Sequence, residues 1–175
     1  MARELRPHGV VYYSEDTHYS VTKALRLLQI RGIKMCSQKN GEMDYGDLQR
    51  ILKLHQDTPA LIFVNIGTTM KGAVNNLSIT QKTLKDLAIS EHYIHCDTAL
   101  SGTIQPFIDS AQPFGFDHGA DSLSISGHKM IGSLAKRENI TGIQPAGGCV
   151  EYMGVLDTTL TGPVPASRRY SFGTP

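Results

Sequence analysis

The hydrophobic positions of this chain fall into short apolar runs separated by longer amphipathic stretches. Gly9-Val10-Val11-Tyr12-Tyr13 is β-branched and aromatic and predicts a buried strand. Asp16 and Thr17 follow as candidate helix caps, and Val21, Ala24, Leu25 and Leu28 then recur at helical spacing. Ile33–Cys36 predicts a second short strand. Asp44 opens another helix, with Leu48, Ile51, Leu52 and His55 on one stripe. Pro59–Asn65 is apolar up to its last residue, as a strand covered on both faces should be. Ser78 and Gln81 have capping-box spacing, on a helix that carries Ile79, Leu84, Leu87 and Ala88. Tyr93–Cys96 and Ser122–Ser126 predict two further strands. This alternation predicts an α/β fold, a mostly parallel sheet with helices on both faces.

Composition narrows the function classes. Lys plus Arg number 17 and Asp plus Glu 16, a net charge of +1, so no bulk charge argues for nucleic acid or an anionic membrane. No apolar run approaches the ~20 residues of a membrane span, and Met1–Pro7 lacks the apolar core of a secretory signal. Cys36, Cys96 and Cys149 are odd in number and far apart, which excludes a disulfide framework and fits a reducing cytoplasm. The last stretch differs: residues 141–175 hold 10 of the 25 Gly and Pro residues, which predicts an irregular tail.

The polar residues of interest follow the predicted strands. Thr17-His18 come after the first, Gly67-Thr68-Thr69 after the third, Asp97 closes the fourth, and Ser126-Gly127-His128-Lys129 close the fifth. Ligands of open parallel sheets bind beyond the carboxyl ends of the strands, so neighbouring strands would gather these groups on one rim. An imidazole, a hydroxyl, a carboxylate and an amine together suit pyridoxal phosphate. Its aldehyde needs an amine, its pyridine nitrogen needs a carboxylate to stay protonated, and its ring face takes a stacking partner. Taken singly, the same residues have ordinary readings: Lys129 a solvated lysine, Asp97 a turn or cap residue, His18 a first-turn residue, Thr68 and Thr69 turn caps. His92 and His95 stand three apart in a strand, face opposite sides, and cannot share a metal ion. Gly127-His128-Lys129 lacks the upstream glycine of a phosphate loop.

Four ordered segments add a resemblance: Tyr12–Val21 with Thr17-His18-Tyr19-Ser20, Val64–Ala73 with Gly67-Thr68-Thr69, Tyr93–Gly102 with Asp97-Thr98-Ala99, and Ser124–Met130 with Ser126-Gly127-His128-Lys129. Together they resemble the group II pyridoxal-phosphate decarboxylases, most of all the bacterial branch that acts on histidine, with the plant serine decarboxylases close by. The resemblance runs through residues 2–135, with a weaker stretch near 149–162. It implies the large domain of a fold-type-I, aspartate-aminotransferase-like enzyme and a homodimer. It implies Lys129 as the Schiff-base lysine, Asp97 as the partner of the pyridinium nitrogen, and His18 as the imidazole stacked on the ring near the substrate carboxylate. Ala99 matches the small residue against the other ring face, Thr69 a threonine near the ring, and Ser126 and His128 positions close to the phosphate and the Schiff base. The implied reaction is decarboxylation of L-histidine to histamine and CO₂, with serine and other amino acids as alternatives.

The sequence also departs from that pattern. The family's Gly-Gly-Thr-Glu type phosphate turn would precede Tyr12 and is not found; several residues of the family pattern are missing after Ser133; and after Asp157–Gly162, similar to an active-site loop, an unrelated Pro-rich stretch begins at Pro163. The expectation is a partial cofactor-binding domain over 1–140, an irregular tail over 141–175 with a remnant of that loop, and impaired activity of the isolated chain. The competing expectation is a non-catalytic remnant, or a partner of an intact subunit.

Overall fold

The computed structural model describes residues 6–130, 139–143 and 151–154. The predicted similarity at 157–162, the junction after Ser133 and most of the tail lie outside these residues. A seven-stranded sheet carries the fold, with strand order β2-β1-β3-β4-β5-β6-β7. In chain order its elements are β1 (Val10–Ser14), α1 (Tyr19–Leu27), β2 (Gly32–Met35), α2 (Tyr45–Lys53), β3 (Ala60–Asn65), α3 (Leu77–Asp86), β4 (His92–Asp97), β5 (Ser122–Ser126), α4 (Gly127–Met130), β6 (Asn139–Ile143) and β7 (Glu151–Gly154). The first five strands pair in parallel, and β6 and β7 add to the β5 edge antiparallel. β6 and β7 give regular structure near and within the stretch that composition marks as irregular. Pairing against an open strand edge outweighs the local Gly content there.

Strand alternation divides the apolar residues between two faces. Val10 and Tyr12 of β1, Ile62 and Val64 of β3, Ile94 and Cys96 of β4 and Leu123 of β5 form one core with Leu48, Ile51 and Leu52 of α2 and Leu77 and Leu84 of α3. Val11, Tyr13, Leu61 and Tyr93 face the other way, against Val21 and Leu25 of α1, Ile30 and Phe63. Helices therefore lie on both faces, as the alternation predicts.

Two helix starts differ from the sequence reading. His18, not Asp16 or Thr17, is the N-cap of α1. Asp16 is drawn into an ion pair with Lys71 at 3.0 Å, and Thr17 Oγ1 accepts a 2.9 Å hydrogen bond from Asn65 Nδ2, so tertiary partners take both candidate caps. Asn76, not Ser78, caps α3: its Oδ1 accepts from the Ile79 amide at 3.1 Å. The inward stripe of α3 is accordingly Leu77, Thr80, Thr83 and Leu84, and Ile79 is exposed. Asp44 caps α2 as predicted, accepting from the Asp47 amide at 3.0 Å, and Leu48, Ile51 and Leu52 are buried.

Candidate active site at the carboxyl ends of the strands

The chain leaves β1 for one edge of the sheet and later returns to β3 on its other side, so the β1–β3 boundary is a switch point where two loops diverge. A cleft of about 380 Å³ opens beyond these carboxyl ends. His18 at the cap of α1 and Ser20 in its first turn line it, β3 and its following loop add Phe63, Asn65, Gly67, Thr68 and Thr69, the end of β4 adds Asp97, Ala99 and Leu100, and β5 adds Ser124, Ser126 and, in α4, Lys129. Six of the seven residues singled out by sequence thus meet in one cleft: His18, Thr69, Asp97, Ala99, Ser126 and Lys129. The seventh, His128, follows Gly127 in α4, and its side chain lies outside the described residues.

Each group is held by local structure. Asp97 ends β4 in register with Asn65 of β3 and Ser124 of β5. One of its oxygens, Oδ1, accepts the Ala99 amide at 3.1 Å. Thr98 locks the turn from behind, its amide and hydroxyl both donating to the Ser124 carbonyl, at 3.0 and 2.6 Å. Asp97 is therefore held by one oxygen while the other stays available to a ligand.

The loop after β3 depends on Gly67. Its φ is +96°, and a Cβ there would collide with the Ser101 side chain, so both torsion and space require glycine. Thr68 is buried and closes the loop by accepting the Ala73 amide at 3.0 Å, which leaves Thr69 exposed on the cleft side. Lys71 of this loop reaches Asp16 of the β1–α1 turn and ties the two walls together. Asn65, almost fully buried, reinforces that tie by donating to both Ser14 Oγ (3.2 Å) and Thr17 Oγ1 (2.9 Å).

Below Asp97 on the same sheet face, His95 bonds through Nδ1 to Ser122 Oγ at 2.7 Å and packs its ring 5.0 Å from Phe63. Burial pushes its imidazole below the ordinary value of 6.5, although the nearby Asp97 carboxylate pulls the other way, so the neutral ring is favoured under the site. His92 bonds separately to the Ile89 carbonyl, and among the described residues no group of three His, Cys, Asp or Glu could hold a metal ion. Cys96 lies on the opposite face, where burial drives its thiol up to about 12 and leaves it inert.

Phe63, Asn65, Ser124 and Ser20 were not among the residues singled out by sequence. Their signal was present: Phe63 and Asn65 alternate within β3, and Ser122, Ser124 and Ser126 form a period-two polar row in β5. Using that signal requires the strand order, which no local pattern carries.

The donor set fits pyridoxal phosphate. An amine, a half-free carboxylate, an imidazole, a small residue and hydroxyls share one cleft, and Ala99 leaves open the space a larger side chain would fill. Comparisons agree. Histidine decarboxylases of Raoultella ornithinolytica, Pseudomonas entomophila and Morganella morganii are 44%, 46% and 45% identical, each over 93% of this chain. The chain spans 74% of the first of these proteins, 42% of the second and 44% of the third. Among solved structures, mouse CSAD in its apo form matches with a TM-score of 0.62 and 22% identity, over 80% of this chain and 30% of that one. L-Methionine decarboxylase from Streptomyces sp. 590 in its external aldimine form matches with a TM-score of 0.65 and 20% identity, over 73% of this chain and 41% of that one. These structural likenesses establish the fold, the type-I large-domain sheet expected from the sequence. The family described as the pyridoxal-dependent decarboxylase conserved domain matches residues 1–140, and the chain belongs to that family.

Proposed function

We propose that this protein removes the α-carboxylate of an amino acid, L-histidine first, with pyridoxal phosphate held in the cleft at the carboxyl ends of β1, β3, β4 and β5. The observation that carries the reading is the meeting of Lys129 and Asp97, 32 positions apart in sequence, in one cleft with His18. The preference for histidine rests on the 44–46% identity to histidine decarboxylases. Residues 1–140 form the cofactor-binding part in this reading.

Lys129 supplies the amine that would hold the cofactor aldehyde. Asp97 would keep a proton on the pyridine nitrogen through its oxygen not used by Ala99, an ionic hydrogen bond in a partly dry site. Ala99 would leave room for one ring face, and His18 would stack on the other, near the substrate carboxylate. Thr69 would border the ring, and Ser126, with His128 by resemblance alone, would serve the phosphate and the Schiff base. When bound, the cofactor supplies an electron sink for the pair released as CO₂ departs. The residues orient the groups and set their charge.

No helix among the described residues is long and apolar enough to cross a membrane. A cytoplasmic homodimer is part of the same proposal. The free thiols of Cys36 and Cys96 support that compartment, and the exposed Leu27, Leu28 and Phe107 offer apolar surface for pairing.

The test is release of label from carboxyl-labelled L-histidine by the protein with added pyridoxal phosphate, beside Lys129→Ala and with L-serine as competitor. Weak release that disappears in Lys129→Ala and resists excess serine is expected. Equal release by both proteins would overturn the proposal.

A further inference from the structure

The cap of α1 has a chemical consequence for His18. A backbone N–H can only donate, and the Ser20 amide donates to His18 Nδ1 at 3.4 Å. The Ser20 hydroxyl lies 2.7 Å from the same nitrogen. In a neutral imidazole one ring nitrogen carries the proton and the other accepts. A proton on Nδ1 would face the proton of the Ser20 amide and cost that amide its protein partner. The amide therefore favours Nδ1 as the acceptor, the Ser20 hydroxyl can donate to the same nitrogen, and the proton belongs on Nε2. The ring is held in place as well, because His18 is itself the N-cap residue and its ring stacks at a tilt 4.3 Å from that of Tyr19. Tyr19 in turn lies under Lys23 Nζ, 4.6 Å from the ring centroid.

We propose that Ser20 is a positioning residue that fixes His18 as its Nε2–H tautomer, so that His18 meets an anionic ligand in the cleft as a hydrogen-bond donor. The assignment of that ligand as a substrate carboxylate rests on the decarboxylase reading above; the tautomer does not. A donor at Nε2 suits a carboxylate, whereas the other tautomer would present a lone pair and repel it. The contact thus has two tasks: it caps the first turn of α1 and sets the polarity of the imidazole.

The test is ¹⁵N-detected imidazole NMR on the whole protein without cofactor or substrate, with the His18 signals assigned by their loss in His18→Gln. Nδ1 should give the unprotonated, pyridine-type signal and Nε2 the protonated, pyrrole-type one. Ser20→Pro, which removes the amide donor within the first helical turn, should lower the ratio of the two tautomers about fivefold, the effect of one ordinary hydrogen bond. Ser20→Ala, which keeps the amide, should leave Nε2 the protonated nitrogen. A pyrrole-type Nδ1 in the unaltered protein would overturn the proposal, as would a ratio unchanged in Ser20→Pro or reversed in Ser20→Ala. Because no turnover is read, failure of the decarboxylase reading would appear only in the label-release experiment, and failure of the tautomer assignment only here.

Discussion

The two faces of the sheet share the same strands and differ in almost everything else. On one face Tyr12, Ile62, Val64, Ile94 and Cys96 are at most 1% exposed beneath two capped helices, α2 and α3. On the other, Val11, Tyr13, Leu61 and Tyr93 retain 5–8% exposure beneath α1, a helix with no buried residue of its own. The apolar cover of that second face gives way, at the carboxyl ends, to Asn65, Asp97 and Ser124, which line the cleft. The difference teaches a division of labour within single strands. Ile62 and Val64 anchor β3 in the dense core, so Phe63 and Asn65, which alternate with them, are held in place where they border the cleft. Preorganisation of a site demands such rigid backing.

The largest expected effect breaks the dense face. Ile62→Ala should cost ~2–5 kcal/mol, a large part of the ~5–15 kcal/mol that holds an ordinary domain together. Leu61→Ala, one residue away, should fall at or below the lower end of that range, because its surroundings are looser and can relax. Urea unfolding midpoints of the two variants measure the contrast. Equal losses would mean that the two faces are equally packed and that the comparison fails.

The same contrast explains what was legible in the sequence. The strands of the dense face could be read because burial writes itself locally: Ala60–Val64 is an unbroken apolar run, and Leu48, Ile51 and Leu52 keep helical spacing. The positions of Lys129, Asp97, His18, Thr69, Ala99 and Ser126 after their strands, together with the parallel fold, were enough to anticipate a shared rim. The caps were not, because their choice was settled far away in the chain. Asn65 claims Thr17 and Lys71 claims Asp16, leaving His18 to close the helix. Asn65 and Ser124 escaped as cleft residues for the same reason: their importance arises from register with Asp97, a property of three strands at once.

A smaller effect sharpens the comparison on the open face. Burial lowers the folded value of His95 below 6.5. The unfolded chain then binds more protons than the folded one as acid is added. The stability linked to His95 is fully present above its ordinary value of 6.5 and is lost as pH falls through the lowered folded value. Urea midpoints taken across this window should fall with acid in the unaltered protein and fall less in His95→Gln. An equal fall in both would remove His95 as the buried floor of the site.

We propose that the open face, and Lys129 in particular, holds the cofactor. The most direct measurement is peptide mapping after pyridoxal phosphate is added to the protein and the adduct is fixed with borohydride. One dominant modified peptide, containing Lys129, is expected, with a yield that drops in Asp97→Ala. Modification spread evenly over surface lysines, and indifferent to Asp97, would contradict it.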